Sequence, residues 1–524
     1  MSGIHEFREG ELIHLAPYIC VFGTYCKRRW IGRELLSVLV AEFVEFDAKG
    51  YMRAAREGRV LVLRKRHIHA FLQPTGEPPT KTNMRVDRYT QDIGTFVLCD
   101  SDLILHLMHR HEPPIIGSLN VIEQGNQIFC VKPSSIPIHP CGRYRFQSVN
   151  EKLTRMGYNG LRACNRLDKL VSGLVILARS AQDAEEKRVM AAARSGTKVY
   201  LARTIGQHSG LKLVWAPLGI TIGNNSTART VYPSSHDALL PKERYARFQE
   251  LYLTASGRYD VFDDYLLFPS IDDFKQHIDN DKQLVELLRM QVGSYKGSSE
   301  IEEHQTALSI IFYLPGSQSV NSTLALCIPV TGRTHQLRLH LQYAGSPIID
   351  DPCHGGLPEH LQLIRTVPSA TLLAKMLDCN PYTSEAYVDL IVEKIKECHR
   401  DPNKQLDISC IREELVDIHR SCQRTWTCDT CLSLQEEVLS TTEPFDSSLI
   451  HFNEDHGSYN IRPTMVKNYM FKAISLHAYS YIGETELFTE LPVFTKSTLS
   501  VTEDILQSFC RALASLKLKL LMDE

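Results

Sequence analysis

One aspartate stands in a charged run directly before an apolar stretch, in the segment NRLDKLVSGLVILARS at residues 165–180. A carboxylate such as Asp168, held in a loop against a buried strand, can attack an electrophilic carbon or stabilise an oxocarbenium-like sugar. The more ordinary role of a single aspartate in such a loop is an ion-paired turn carboxylate. The other polar segments of the chain decide between these two interpretations.

Two further segments place polar side chains beside apolar ones. KVYLARTIG carries Lys198 and Tyr200, and VTGRTHQLRLHLQYAG carries Arg333, His335 and Arg338. A tyrosine ring can stack on a base, although an ordinary strand aromatic is its commoner role. An arginine can pair with a buried carboxylate and keep it ionised. One acid, one ring and one cation suit a reaction that needs a carboxylate, a flat surface and a charge partner.

The local patterns predict a rigid frame around these residues. GLVILAR predicts a strand that is buried on both faces. The following segment SAQDAEEKRVMAAARSG predicts a helix that Ser180 caps and Gly196 ends, and KVYLARTIG predicts the next strand. The stretch from Thr323 begins as a strand and becomes helical from Thr334. Asp168 therefore lies in a loop beside a strand–helix–strand unit, which is a common place for functional residues.

These three segments resemble, in chain order, the core motifs of the RluA-type pseudouridine synthases. FCVKPSSIPIHPCGRYR resembles the strand and loop before the first motif, and the similarity covers about residues 116–206 and 323–356. The flanking segments YCKRRWIGREL, HRHEPP and SLHAYSYIGETELFTELPVF resemble the eukaryotic branch that modifies position 32 of the tRNA anticodon loop. The resemblance implies an isomerase that converts uridine to pseudouridine in RNA, with tRNA as the expected partner. This reaction is not a redox step, so no cofactor is expected.

The resemblance also implies roles for individual residues. Asp168 matches the catalytic aspartate, Tyr200 the tyrosine that stacks on the uracil, and Arg338 the partner of the aspartate. The expected substrate contacts are Arg166, which matches an arginine that enters the RNA, together with Lys198, Arg333, His335, Leu337 and Arg143. The chain departs from the family at Asn165, usually histidine, and at Val171, usually threonine. We expect Asn165 to give a modified loop and Val171 to remove a hydroxyl beside the site.

The expected fold is α+β, with a mixed, largely antiparallel central sheet and flanking helices, which is the pseudouridine synthase fold. Residues 1–115 form an accessory region that could bind RNA, and residues 116–365 form the catalytic domain. An acidic segment at about 256–305, with one helical stretch, is interpreted as an insertion in that domain. Residues 366–524 form a mostly helical C-terminal extension that ends in a leucine-rich helix.

The accessory region contains a basic cluster after a helical pattern with expected stops at Gly50 and Gly58. A net charge of −3 leaves a local RNA-binding surface open. The cluster is expected either to contact tRNA phosphates or to be a solvated helix face. Its members are Arg53, Arg56, Arg59, Arg64, Lys65 and Arg66.

A Cys/His-rich patch at 398–431 leaves two alternatives open. Cys422, Cys428 and Cys431 could bind a structural zinc ion, or the cysteines could be free buried thiols. No firm metal site is predicted. The histidines of LILHLMHRH, which are His106, His109 and His111, are expected to contact RNA or to pack in a loop.

Several function classes are excluded or disfavoured. No apolar run reaches the ~18 residues that a membrane span needs. The early acidic residues argue against a signal or transit peptide, so we expect a cytoplasmic or nuclear protein, with no protein partner evident. An appended deaminase would need H-x-E, and none of the 21 histidines is followed by glutamate two positions later. The remaining alternative to an enzyme is a catalytically silent RNA-binding protein or RNA chaperone that keeps the fold.

Overall fold

The chain forms two compact units in the computed structural model. The first unit comprises residues 1–9, 14–112 and 368–441, and the second comprises residues 10–13, 113–367 and 442–524. The structure describes residues 4–43, 47–66, 85–89, 92–100, 102–125, 127–192, 196–222, 227–233, 235–262, 264–292, 296–298, 302–316, 321–356, 363–379, 392–393, 428, 431, 434–435, 452–453, 458–459, 469–483, 485–495 and 498–521.

The secondary structure is rich in short strands. In chain order these are β1 (Glu6–Glu9), β2 (Leu12–Leu15), β3 (Tyr18–Tyr25), β4 (Val60–Arg66), β5 (Arg85–Tyr89), β6 (Leu103–Arg110), β7 (Ile115–Ile116), β8 (Asn120–Gln124), β9 (Gln127–Lys132), β10 (Arg162–Ala163), β11 (Ser172–Ala178), β12 (Thr197–Ile205), β13 (Leu211–Val214), β14 (Leu218–Ile222), β15 (Thr227–Val231), β16 (Val261–Phe262), β17 (Tyr265–Phe268), β18 (Lys296–Ser298), β19 (Glu302–Gln305), β20 (Ser309–Tyr313), β21 (Ser322–Pro329), β22 (Leu363–Arg365), β23 (Phe452–Asn453), β24 (Ser458–Tyr459), β25 (Tyr469–Phe471), β26 (Leu476–Ile482) and β27 (Glu486–Phe488). The α-helices are α1 (Leu35–Glu42), α2 (Ala48–Arg56), α3 (Val149–Arg155), α4 (Ala181–Ala192), α5 (His236–Leu239), α6 (Lys242–Ser256), α7 (Ile271–Asn280), α8 (Lys282–Met290), α9 (Gln336–Tyr343), α10 (Ala370–Asp378) and α11 (Glu503–Leu521). Within the described part of the chain, none of the helices combines the length and the hydrophobicity that a membrane span requires.

The first unit is built on a four-stranded sheet with the order β3-β6-β4-β5. Trp30 and Tyr51 are fully buried in the core between this sheet and helices α1 and α2. Asp47 caps α2 by accepting a hydrogen bond from the Gly50 N–H at 2.7 Å. The helix stop predicted at Gly50 is therefore wrong, because the cap starts a second helix that contains this glycine. The stop at Gly58, which has φ +69°, is confirmed.

The second unit contains the expected mixed, largely antiparallel sheet. The order of its strands is β16-β17-β13-β20-β21-β12-β26-β11-β9-β8. In addition, β10 pairs with β11, and β27 pairs with β26. Among the described strand pairs of this sheet, only β11 and β26 are parallel. The predicted strands GLVILAR and KVYLARTIG are β11 and β12, and the predicted strand and helix after Thr323 are β21 and α9. The predicted fold class is confirmed.

The centre of this sheet includes a strand from the last part of the chain. Strand β26 lies between β11 and β12, although residues 366–524 were expected to form a mostly helical extension. The close pairing requires a glycine, because a Cβ at Gly173 would lie 2.3 Å from the Ala478 carbonyl oxygen. Helix α11 packs its Leu506, Leu513 and Leu516 into the core of the same unit, as the leucine-rich pattern predicted.

The acidic segment packs into the core, and it contains the two helices α7 and α8 where one helical stretch was expected. Strand β17 extends the main sheet, and α7 and α8 bury Phe274 and Leu284 against it. Three of its acids stand at helix starts, where the helix dipole favours negative charge. Ser270 caps α7 before Asp272 and Asp273. Asp281 caps α8 by accepting hydrogen bonds from two backbone N–H groups.

Candidate active site

The loop that carries Asp168 is attached to β11 by two hydrogen bonds to one residue. The Cys164 N–H donates to the Ile176 carbonyl at 2.8 Å, and the Asn165 side-chain oxygen accepts from the Ile176 N–H at 2.7 Å. The Val171 N–H closes the other end of the loop onto the Asp168 carbonyl at 3.1 Å. Asn165 thus fixes the loop to a central strand through its side-chain oxygen, at a position where the family usually has histidine.

A buried lysine forms hydrogen bonds to the same loop and to the segment after β9. Lys132, at the end of β9, has no exposed surface, and its ammonium donates to the carbonyls of Pro133, Ile136 and Lys169 at 2.9, 3.0 and 3.2 Å. Burial lowers the pKa of Lys132 to about 7, an effect that Asp168 partly opposes. Three carbonyl oxygens match the three N–H groups of an ammonium, so we infer that Lys132 is charged here.

We expect Lys132→Met to lower turnover much more than RNA affinity. The change leaves three buried carbonyls without this donor and frees the loop at Lys169, at a cost of about 1–3 kcal/mol in stability. Single-turnover rates, RNA binding and urea unfolding measure the three effects. The matched control is Lys212→Met, because the buried Lys212 ammonium donates to Ala344 at 2.7 Å instead of to this loop. Equal loss of turnover in both variants would contradict a specific role for Lys132.

The centre of the site is a guanidinium between two carboxylates. Arg338 Nη1 donates to Asp168 Oδ2 at 2.9 Å, although 170 positions separate the two residues. The other edge of the guanidinium donates to both oxygens of Asp351, at 2.7 and 2.8 Å. Asp351 is fully buried, while 28% of the Asp168 side chain remains exposed. Asp351 therefore orients Arg338, and Asp168 is the carboxylate that a substrate could reach.

Arg338 and the two carboxylates shift one another's pKa values. Burial raises the pKa of Asp168, but His335 and Arg338 lower it by more, so the pKa lies below its ordinary value. Burial also raises the pKa of Asp351, and Arg338 again outweighs it. Burial lowers the pKa of Arg338, but the two carboxylates raise it above its usual range. Asp168 is therefore a carboxylate at neutral pH, held by a permanent cation.

One histidine lies beside Asp168, and a second lies beside that histidine. His335 Nε2 is 3.6 Å from Asp168 Oδ2, and His335 Nδ1 is 2.8 Å from His354 Nε2. Burial, followed by the nearby Arg338, lowers the pKa of His335 to about 4. Burial lowers the pKa of His354 to about 3. Both rings are thus neutral at pH 7, and His335 adopts a left-handed backbone with φ +58° at the start of α9, a conformation that functional sites often contain.

An apolar wall adjoins the carboxylate. Tyr200 on β12 is only 9% exposed and shares one hydrophobic cluster with Leu167, Leu170, Val171 and Leu337. Burial, followed by the negative charge of Asp168, raises the pKa of Tyr200 above its ordinary value. The ring is therefore a neutral phenol beside the carboxylate. Such a wall excludes water from a reactive sugar carbon.

The remaining expected contact residues are more spread out. Arg166 and Arg143 are exposed. The Arg333 Nε donates to the Thr306 carbonyl at 2.8 Å, so one donor of this side chain bonds to the protein's own backbone. Burial lowers the pKa of Lys198 to about 8, and the charge that opposes this shift is Cys164 rather than Asp168. The structure thus gathers Asp168, Arg338, His335, Tyr200 and Leu337 more closely than the other expected residues.

Three supporting residues were not found from the sequence. Asp351 and His354 follow α9 in the segment IIDDPCHGG, and Lys132 stands in FCVKPSS. A paired DD after an apolar stretch is the only local signal for Asp351. A lysine at the end of an apolar strand is an equally weak signal for Lys132. Their partners are distant in sequence, so only the fold identifies them.

The basic cluster belongs to the first unit, and part of it is used inside that unit. Arg64 makes a two-pronged contact with the buried Asp102 at 2.8 and 2.7 Å, and Arg59 lies 2.6 Å from Glu57. Arg53 and Arg56 are exposed on α2. The side chains of the last two members, Lys65 and Arg66, lie outside the described residues.

Comparison with known proteins finds RNA pseudouridine synthases. Residues 126–343 match the family described as RNA pseudouridylate synthase. The tRNA pseudouridine(32) synthase, mitochondrial, of Saccharomyces cerevisiae is 27% identical over 349 residues, which are 66% of this chain and 55% of that protein. The tRNA pseudouridine(31) synthase of the same yeast is 25% identical over 386 residues, or 70% of this chain and 78% of that protein. The solved structure of human RNA Pseudouridylate Synthase Domain Containing 4 aligns with a TM-score of 0.32 and 16% identity, over 72% of this chain and 91% of that one.

The matched segment contains Asp168, Tyr200 and Arg338, together with strands β11 and β12 and helix α9. Residues 126–343 are thus similar to the RNA pseudouridylate synthase family, and the three motifs resemble those of the RluA type within it. The aligned part of this chain covers 55% of the yeast tRNA pseudouridine(32) synthase.

Proposed function

We propose that the protein isomerises uridine to pseudouridine in RNA, with Asp168 as the catalytic carboxylate. The observation that carries the proposal is the 2.9 Å contact of Asp168 with Arg338, in a partly exposed position from which the Asp168 charge helps to raise the pKa of Tyr200. An ionised carboxylate held at an apolar wall can act on a sugar carbon while water is kept away. A turn carboxylate with only a structural use would not need a buried guanidinium that a second aspartate orients.

The reaction breaks the bond between N1 of uracil and C1′ of ribose and forms a bond between C5 and C1′. In this mechanism Asp168 either attacks C1′ or stabilises the positive charge that develops there. The freed uracil turns with its face on the Tyr200 ring. The proton on C5 is then lost, and N1 gains one, so atoms and electrons balance without an oxidant. Arg338 keeps Asp168 ionised throughout.

We propose tRNA as the substrate, and a uridine at position 31 or 32 as the target. The support is the pair of yeast relatives whose names state tRNA and these positions. A uridine near an open loop costs less to unstack than one inside a helix, where the cost is a few kcal/mol. Arg166, exposed just before Asp168, is suited to occupy the space that the base leaves.

Release of tritium from uracil C5 tests the activity directly, because isomerisation exchanges that hydrogen with water. The full-length protein is incubated with tRNA and with an anticodon stem-loop, both carrying 5-tritiated uridine. We expect release from both, and reverse-transcription mapping is expected to place the pseudouridine at position 31 or 32. No release from any tRNA under single-turnover conditions, at protein concentrations that bind RNA, would overturn the proposal. That outcome would favour the alternative of a silent RNA-binding protein.

We propose that the exposed arginines of α2 contact tRNA phosphates. Arg56→Gln is expected to weaken tRNA binding several-fold and to reduce the slope of log affinity against log salt by about 1, without changing the modified uridine. The matched control is Arg64→Gln, because Arg64 pairs with the buried Asp102. This control is expected to lower thermal stability while it leaves the salt slope unchanged. An unchanged affinity and slope for Arg56→Gln would make the cluster an ordinary solvated face.

The cytoplasm is our proposed location. Fifteen cysteines favour a reducing compartment, which the mitochondrial matrix also provides. One relative carries the word mitochondrial in its name, so the organelle is the competing outcome. Cell fractionation with antibodies against the untagged protein separates the two, and enrichment with matrix markers would contradict the proposal.

A further inference from the structure

Four metal-ligating side chains meet in the first unit, although they come from two distant parts of the chain. His109 is in strand β6 and His111 follows that strand directly, while Cys428 and Cys431 lie about 320 positions later. One ligand atom from each residue lies within 4.8 Å of all the others. His109 is buried and the other three are half-buried. Cys422, the third cysteine of the expected zinc set, lies outside the described residues.

The local chain geometry explains how each pair presents its ligands together. Successive side chains of an extended chain point to opposite faces, so His109 and His111, two residues apart, share a face. The cysteines have the C-x-x-C spacing that metal sites commonly use, and Cys431 lies in a helical turn. The fold then places the H-x-H pair against the C-x-x-C pair.

The distances fit a tetrahedral ion. Zinc binds sulfur at about 2.3 Å and imidazole nitrogen at about 2.0 Å, which sets sulfur and nitrogen ligands about 3.5 Å apart and two nitrogens about 3.3 Å apart. Cys428 Sγ is 3.4 Å from His111 Nε2, and Cys431 Sγ is 3.4 Å from both His109 Nδ1 and His111 Nε2. The two imidazole nitrogens are 3.3 Å apart. Four of the ligand-to-ligand distances thus match a tetrahedral ion, and all four atoms lie within 4.8 Å of one another.

We propose that His109, His111, Cys428 and Cys431 bind one structural zinc ion. Two thiolates and two imidazoles are a ligand set that selects zinc over magnesium or calcium, which prefer oxygen ligands. Four protein ligands leave no open position for water or substrate, so the site is structural rather than catalytic. The ion would join the segment around Cys428 to strand β6 and close a loop of more than 300 residues. The inference concerns the first unit and does not depend on the proposed isomerase activity.

The interpretation of these histidines as RNA contacts or loop packing changes accordingly. His106 is buried in the same strand as His109, three positions before it. Burial lowers the pKa of His106 to about 3. It packs beside Tyr51, with ring centres 5.5 Å apart, and is not part of the four-residue group. His109 and His111 have a different environment, because thiol groups face them.

The test measures metal in the full-length protein, purified through a tag that does not bind metal and without chelators. Elemental analysis is expected to find about one zinc ion per chain. The double variant Cys428→Ser/Cys431→Ser, and separately His111→Ala, are expected to contain less than about a tenth of that amount. The matched control is Cys99→Ser, an exposed cysteine of the same unit, which is expected to keep its zinc.

A second measurement needs no variant to fold. The wild-type protein, refolded with Co²⁺, is expected to show the strong visible bands of a tetrahedral ion and thiolate-to-cobalt charge transfer. Zinc added afterwards is expected to remove both. A metal-free wild-type protein, weak octahedral cobalt bands, or full retention of zinc in the double variant would each overturn the proposal. Formation of a Cys428–Cys431 disulfide in metal-replete protein would overturn it as well.

Discussion

Asp168→Asn is expected to abolish pseudouridine formation, with a single-turnover rate at least about a thousandfold below that of the wild type. Asparagine keeps the size of the side chain and can still accept a hydrogen bond from Arg338. It lacks the negative charge that attacks or stabilises C1′. A lost charge contact with the transition state is worth several kcal/mol, and each 1.36 kcal/mol corresponds to about a factor of ten in rate. The measurement is tritium release from an anticodon stem-loop that the wild type modifies.

Folding and RNA affinity are expected to survive this substitution. Asp168 is 28% exposed, and Arg338 keeps both of its contacts with Asp351. The thermal midpoint and the tRNA dissociation constant should therefore stay close to the wild-type values. Asp183→Asn is the matched control, because Asp183 is an ion-paired aspartate on α4, bonded to Lys187. If Asp168→Asn turned over at a near-normal rate, Asp168 would be only a turn residue and the proposed mechanism would be wrong.

The sequence predicted those parts of the site that lie in continuous motifs. The apolar run after Asp168 has the composition of a doubly buried strand, and the loop before it could be placed without any distant contact. Tyr200 and Arg338 were identified because their segments resemble motifs of a known family, while the local patterns alone placed them only on a strand and a helix. Their roles as catalytic residues stay predictions that the variants above and below test.

The parts that the sequence did not predict depend on long-range pairing. Strand β26 has a short pattern that could fit several environments, and its place between β11 and β12 follows from distant partners such as Gly173. The second helix of the segment at 256–305 was not predicted, because helix capping by Ser270 and Asp281 cannot be separated from surface charge by composition alone. His109 and Cys428 are 319 positions apart, so no local spacing could join them.

Loss of Arg338 is expected to lower both the stability and the turnover of the protein. Arg338→Met keeps the length of the side chain, but it leaves the Asp351 carboxylate buried without its cation. Breaking a buried ion pair in this way costs about 3–5 kcal/mol. Turnover is expected to fall with it, because Asp168 loses the contact that keeps it ionised. Urea unfolding and single-turnover tritium release measure the two effects. Arg203→Met is the matched control, since its Nε donates to the Ser322 hydroxyl rather than to a carboxylate.

The double variant Arg338→Met/Asp351→Asn separates the two consequences. Neutral asparagine removes the orphaned charge and still accepts from the Cys353 N–H, which bonds Asp351 at 3.0 Å. Much of the lost stability is therefore expected to return, while turnover stays low because Asp168 still lacks Arg338.

The contact between Arg338 and Asp168 also sets how stability and activity depend on pH. In the wild type the pKa of Asp168 lies below its ordinary value, so its contribution to stability is present above about pH 4 and is lost as the pH falls through the folded pKa. Without Arg338 the pKa of Asp168 rises, so any residual activity is expected to be lost at a higher pH than in the wild type. A double variant as unstable as Arg338→Met, or a residual activity with an unchanged acid limit, would show that Arg338 does not hold Asp168 in its charged form.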